Sequence, residues 1–259
     1  MRRTVLLLAS TVGLLLLLAG GALAITYGQP DGDKHPYVGA VSLRDEAGES
    51  LGLCSGTLLS ETVFLTAGHC TVGAASARLS FDSQIGSNPT IVTGTPYTHP
   101  DYTPYSLGTD RRDVGVVVLD TPVPMGTYGQ LPELGFLDKL ATQRGKQVQT
   151  FTVVGYGTQA VVPKPQFDLE RYYGTVSLID LRSALSDGYQ IQYTSNPGLR
   201  SPGGICFGDS GGPMLYANTN VVVGITSRTF NGNCKGASLS YRTDIAQTQE
   251  WLSANGWLP

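Results

Sequence analysis

The sequence predicts an all-β chain, a sandwich or a barrel, arranged as two β units followed by one short helix. Three observations predict it. Charged residues make up 14% of the 259 residues, and glycines number 33, against ordinary shares of about 25% and about 7%. Such low charge argues against disorder. Apolar stretches are short, rich in β-branched and aromatic residues, and separated by Gly, Pro, Asn and Asp, the pattern of strands between turns. No long amphipathic helix or heptad run interrupts them.

In chain order, the first element lies outside the fold. Arg2 and Arg3 precede an apolar run from Val5 to Ala19, and small residues follow, ending Ala22-Leu23-Ala24. This is the order of a secretory signal, with the cut expected after Ala24. The chain is therefore expected to be exported, with residues 1–24 a signal peptide and 25–259 the mature domain. Strands are expected over Tyr37–Leu43, just before Leu65, and over Thr90–Tyr97 and Val114–Leu119. The stretch from Leu119 to Gly145, with Pro122, Pro124, Pro132 and its glycines, reads as the internal boundary. Further strands are expected over Val148–Tyr156, Tyr172–Ile179 and Val221–Thr226. Asp244 is positioned to cap a helix running through Ile245, Trp251 and Leu252 and stopping near Asn255-Gly256.

Formal net charge is −3, and −5 for the chain after Ala24, with no basic run. That balance excludes nucleic-acid binding as a main function and stable attachment to an anionic membrane. Four cysteines remain: Cys54, Cys70, Cys206 and Cys234. An even count in an exported chain favours two disulfides, with three pairings open. No CxxC or Cys/His cluster of zinc spacing occurs, so neither metal nor cofactor is expected.

Three strings carry chemistry: Leu65-Thr66-Ala67-Gly68-His69-Cys70 after a short strand, Asp113 heading the apolar run Val114–Leu119, and Gly208-Asp209-Ser210-Gly211-Gly212-Pro213. A serine hydroxyl is a weak nucleophile until a base takes its proton. Histidine titrates near neutrality and supplies that base, and a carboxylate on its other nitrogen fixes the tautomer. His35 and His99 stand beside prolines without such a context and read as ordinary surface or core residues. Asp110 lies three residues before Asp113 and reads as a solvated turn residue.

In these strings, and in their His–Asp–Ser order, the sequence resembles the trypsin/chymotrypsin-like serine proteases from Ile25 to the terminal helix. The resemblance implies two packed antiparallel Greek-key barrels (about 25–130 and 131–243) and a C-terminal helix (about 244–255). It implies a serine endopeptidase acting on polypeptides, with protein inhibitors as partners and a monomeric state. His69, Asp113 and Ser210 would be catalytic, the Gly208 and Ser210 N–H groups would form the oxyanion hole, and the cysteines would pair Cys54–Cys70 and Cys206–Cys234. The family's activating N-terminus matches Ile25-Thr26-Tyr27-Gly28, directly after the expected cut, so Ile25 would pair with Asp209 without a separate zymogen stage.

For the specificity pocket, the resemblance places Gly204 where trypsin-like members carry an acid. Thr229 replaces a glycine at the mouth, beside Ser227, and Ser238 or Leu239 forms the remaining wall. A small or medium aliphatic residue before the cut is expected. Arg228 is expected to be a solvated arginine rather than a contact for an acidic substrate group.

Overall fold

The computed structural model describes residues 25–104, 111–140, 149–161, 163–195 and 203–258. The expected signal peptide, Asp110 and most of the 194–204 loop lie outside the described residues.

Six strands close the first barrel. They are β2 (Val38–Arg44), β3 (Ser50–Leu58), β4 (Val63–Thr66), β5 (Ser76–Ser80), β6 (Val92–Thr98) and β7 (Gly115–Leu119), hydrogen-bonded in the order β2-β3-β4-β7-β6-β5. Alternation alone would leave one face wet. Here β2, β4 and β7 are apolar and nearly continuously buried, with Val38, Val41, Leu43, Phe64, Leu65 and Val116 in one core.

The second barrel repeats the winding. It is built from β8 (Thr150–Gly155), β9 (Tyr172–Asp180), β10 (Gln190–Ser195), β11 (Pro213–Tyr216), β12 (Val222–Thr229) and β13 (Gly236–Arg242). Their order is β9-β10-β13-β12-β11-β8, with β8 pairing back onto β9. Written from β8 this is the order of the first barrel moved on by six strands. Phe151, Val153, Val176, Ile191, Tyr193 and Met214 fill it. The antiparallel double barrel of the sequence reading is therefore present. Strands lacking a bulky apolar run, such as β3, β5 and β13, were not predictable from composition.

The chain ends exchange barrels. The two-residue strand β1 (Gln29–Pro30) pairs with β9, and Ile25 is buried in the core of the second barrel. Residues 25–30, which the sequence reading grouped with the first barrel, thus pack on the second. Arg171 explains how the arm is held. Its buried guanidinium donates to the Asp31 carboxylate (2.8 Å), to the carbonyls of Val38 and Phe81 in the first barrel, and to Gly32. His35 bonds the other Asp31 oxygen at 2.5 Å. It is therefore hydrogen-bonded at the margin of the Asp31–Arg171 cluster, whereas His99 is a packed ring against Trp251.

At the other end, helix α2 (Ala246–Ala254; α1 is the single turn Gly68–Thr71) sets Trp251 against His99, and Trp257 just after it against Tyr97 of β6, on the first barrel. Asp244 does not cap it. Both its oxygens are taken by Arg242 (2.8 Å each), and one also accepts the Leu137 N–H (2.7 Å). The residue at the cap position is Ile245, with no side-chain bond. A carboxylate claimed by a buried guanidinium has no lone pair in position for the helix start.

Candidate active site

Barrel register brings His69 and Asp113 together. Strands β4 and β7 are paired so that Thr66 faces Gly115. The chain leaving β4 turns at once into α1, which carries His69, and the chain entering β7 carries Asp113. One Asp113 oxygen accepts the His69 backbone N–H (2.9 Å), and both lie 3.1 Å from His69 Nδ1. Ser227, on β12 of the second barrel, donates its hydroxyl to the same carboxylate at 2.5 Å. The disulfide Cys54–Cys70 fastens α1 to β3 beside the imidazole.

The second barrel supplies the serine turn. Gly211 and Gly212 tie it to β12 through Gly211 N–H to Thr226 O (2.7 Å) and Thr226 N–H to Gly212 O (2.9 Å). Gly208 and Gly211 have φ of +98° and +80°, the left-handed region that glycine enters without penalty. A Cβ on Gly211 would also sit 2.1 Å from Thr66 Oγ1. Ser55, which the sequence reading missed, clamps the turn from the first barrel. Its N–H donates to Ser210 O (2.7 Å), and its hydroxyl donates to Gly208 O (2.9 Å). Only its position after Cys54 could have pointed to it. The disulfide Cys206–Cys234 holds the other end of the turn.

His69 and Ser210 line one cavity of about 370 Å³. Among the described residues, the N–H groups of Gly208 and Ser210 donate to no acceptor, while those of Asp209, Gly211 and Gly212 are all used. Two free N–H groups on a turn beside a serine hydroxyl form a niche for a negatively charged oxygen. Cys54, His69 and Cys70 place ligand atoms within 4.8 Å of one another, but both sulfurs are spent in the disulfide.

Electrostatics divide the site's two buried carboxylates. For Asp113, burial raises the pKa, but the His69 charge, its hydrogen bonds and Ser227 outweigh it and hold the group down at about 2. Burial disfavours the His69 imidazolium, but the charge and hydrogen bond of Asp113 prevail over it and over Arg111, so its pKa lies above the ordinary 6.5. Asp209 is as buried, and burial pushes its carboxyl up to about 7 against two backbone donors, Cys206 N–H (2.8 Å) and Gly157 N–H (2.9 Å). No cation pairs with it among the described residues.

The trypsin family matches residues 27–252. The chain belongs to the trypsin family. It is a serine endopeptidase, a hydrolase acting on polypeptides. Trypsin theta of Drosophila melanogaster is 29% identical over 245 residues, covering 83% of this chain and 86% of that protein. Among solved structures, HL collagenase superposes with a TM-score of 0.71 at 19% identity, over 92% of this chain and all of that one. A scabies mite inactivated protease paralogue superposes at 0.67 and 16% identity, over 92% and 99%. At such identities the structural likeness speaks for the fold.

Within this trypsin-family protease, the expected pocket residues lie close to the arm and the β12–β13 pair. Thr26 Oγ1 donates to Gly204 O (3.1 Å), and a Cβ on Gly204 would meet Ser195 Cβ at 2.8 Å. No side chain, acidic or other, fits there without a shift. Ser238 is buried and shares a 2.6 Å hydrogen bond with Ser195, and Leu239 beside it is buried too. Thr229 faces Ser238 across the ladder. Arg228 differs from the solvated residue expected. It is partly buried, its guanidinium 5.9 Å from the Phe230 ring, and its pKa is lowered by burial and by Arg111.

Proposed function

We propose that the chain is an exported serine endopeptidase working through an acyl-enzyme. Ser210 attacks the peptide carbonyl, His69 takes the hydroxyl proton and returns it to the leaving amine, and Asp113 fixes the imidazole. The observation that carries this reading is the bonding of His69 Nδ1 to both Asp113 oxygens while the ring opens onto the cavity it shares with Ser210. With Nδ1 engaged, Nε2 is the nitrogen left for the hydroxyl. The free Gly208 and Ser210 N–H groups would hold the oxyanion; losing one such donor typically costs about 3–4 kcal/mol of transition-state stabilisation.

Activation would follow directly from removal of residues 1–24. Ile25 is fully buried with φ +46°, a strained setting for a β-branched residue within a continuous chain. Cutting before Ile25 removes that constraint and creates an ammonium. Asp209 is a buried carboxylate with no cation paired to it among the described residues, and the Ile25 amine would supply one. Residues 1–24 and two disulfides support an oxidising, extracellular setting. The protease is read as a monomer open to protein inhibitors.

Ser210→Ala should leave a folded protein whose hydrolysis falls by about 10⁴-fold or more. A fluorophosphonate should label wild type at Ser210. Undiminished hydrolysis by the variant defeats the mechanism. Specificity before the cut should favour Ala, Val or Leu, because an ammonium buried beside Gly204 would have no partner. In a random peptide library these should exceed Lys and Arg by at least about tenfold in kcat/KM, and a preference for Arg would overturn the pocket assignment.

A further inference from the structure

Arg171 is the largest of the fully buried side chains among the described residues, and no step assigned to Ser210, His69 and Asp113 uses it. All three nitrogens of its guanidinium are engaged. Nε donates to the Asp31 carboxylate (2.8 Å) and Nη2 to Gly32 O (2.6 Å), both on the arm that begins at Ile25. Nη1 donates to Val38 O (3.1 Å) and Phe81 O (3.0 Å) of the first barrel, and to the hydroxyl of Tyr156 (3.0 Å), which follows β8. Burying a guanidinium is costly, and apolar residues of similar volume often serve stability as well or better. Its fork, however, fixes several directions at once, which a point charge does not.

Tyr156 carries one of those directions to the active site. The residue is fully buried, with its phenol on Arg171 and its backbone against the serine turn. Tyr156 N–H donates to Ser55 Oγ (3.0 Å), the hydroxyl that in turn donates to Gly208 O (2.9 Å). Gly157 N–H donates to Asp209 Oδ1 (2.9 Å), and Thr158 N–H to Phe207 O (2.7 Å). The packing leaves no slack: a Cβ on Gly157 would stand 2.5 Å from Asp209 Cγ, and one on Gly208 2.9 Å from Gly157 Cα. A shift of residues 156–158 therefore shifts Asp209 and the Gly208 N–H with it.

Asp31 carries another direction to the arm. Its Oδ2 accepts from Arg171 and from the His35 N–H (3.0 Å), and His35 Nδ1 takes Oδ1. The Asp31 N–H donates to Arg171 O (2.8 Å), so backbone and side chain of one residue both hold the arm.

We propose that Arg171 is a positioning residue for the reaction. It sets the arm that carries Ile25 and the Tyr156–Gly157 bed of Asp209 in one frame, so that amine and carboxylate meet and the Gly208 and Ser210 N–H groups face the oxyanion. The proposal rests on the reading in which an amine freed at Ile25 pairs with Asp209.

A double-mutant cycle tests it. The protein beginning at Ile25, and the same protein with one extra alanine before Ile25, are each made with Arg171 and with Arg171→Lys. Lysine keeps a charge for Asp31 but offers no fork for Val38, Phe81 and Tyr156. Hydrolysis of a peptide p-nitroanilide with alanine before the cut is followed in every form. In the protein beginning at Ile25, Arg171→Lys should lower kcat at least about tenfold and change KM less than about threefold, because oxyanion donors act in the transition state. In the extended protein the pairing is already absent, so the same substitution should change kcat less than about twofold. Cyanate reads the amine itself, through carbamylation of the N-terminal peptide measured by mass spectrometry. The Ile25 amine should be protected in wild type and react at least about tenfold faster in Arg171→Lys, as a locally opened site does.

Equal losses in both forms with the amine still protected would make Arg171 structural only, overturning the proposal and leaving the activation reading intact. A wild-type amine as reactive as that of a free peptide, with full activity in the extended protein, removes the activation reading and the proposal with it. Tyr156→Phe deletes only the phenolic oxygen on Nη1 and serves where Arg171→Lys does not fold. Its loss in kcat should again be confined to the protein beginning at Ile25, and a loss in both forms or in neither overturns the proposal.

Discussion

Asp113 at the edge of the first barrel and Asp209 in the serine turn are both withdrawn from water, yet their pKa values move in opposite directions from 3.8, Asp113 down to about 2 and Asp209 up to about 7. Burial penalises both charges alike. What separates them is their partners: Asp113 has a histidine and a hydroxyl, and Asp209 has two backbone amides. The first carboxylate is complete as it stands, whereas the second has no cation among the described residues. A buried charge left unpaired is costly, and such a site is poised to accept one.

The largest test breaks the complete partner. Asp113→Asn should lower kcat by about 10⁴-fold, the magnitude that the same change has in a serine-protease triad. It should also shift the pH profile. His69 must be neutral to act as a base, so activity in wild type should fall as pH drops through a value above 6.5. Without the carboxylate that acid limb should move to lower pH. A limb that stays in place would separate Asp113 from the imidazole.

Next in size is the incomplete partner. A protein bearing one extra alanine before Ile25 should lose about 10²–10⁴-fold in activity, from the roughly 3–5 kcal/mol cost of leaving a buried charge unpaired. N-terminal sequencing of the secreted wild type should return Ile25. Full activity in the extended form would show that Asp209 needs no amine.

The smallest effect is one of stability. Asp209 has its pKa raised from 3.8 to about 7, so in a chain continuous through Ala24–Ile25 its contribution is full below about pH 4 and lost as pH rises through 7. The slope is at most about 1.4 kcal/mol per pH unit. Asp113 acts oppositely: its contribution is present above about pH 4 and lost as pH falls toward 2. The urea midpoint of the uncut form should therefore decline more steeply between pH 4 and 7 than that of the mature form. Identical profiles would refute the pairing.

Much of the site was legible because its chemistry sits in short strings. Gly208 to Pro213 and Leu65 to Cys70 read locally, and the strand at Val114 marks Asp113. The supports were not legible. Ser55 acts through backbone contacts to residues more than 150 positions away, and nothing in its own neighbourhood announces that. Arg171 and Asp31 look like ordinary surface charges until the fold buries them together. The Asp244 cap failed because a nearby guanidinium outcompetes a helix end for a carboxylate.

The exchange of chain ends also sets an order of events. The arm's partners come late in synthesis: Thr26 meets Gly204, 178 residues on, and Asp31 meets Arg171, 140 residues on. Contacts of such long range must close long loops and are slow to form. If Ile25 pairs with Asp209 as proposed, an amine freed early would find no Asp209 to join, and proteolytic power would be withheld from a nascent chain until its second barrel exists. In pulse-labelled hydrogen exchange the Asp31 amide, bonded to Arg171 O, should gain protection with β9 and not with the first barrel. Earlier protection would mean that the arm docks before the clock has run.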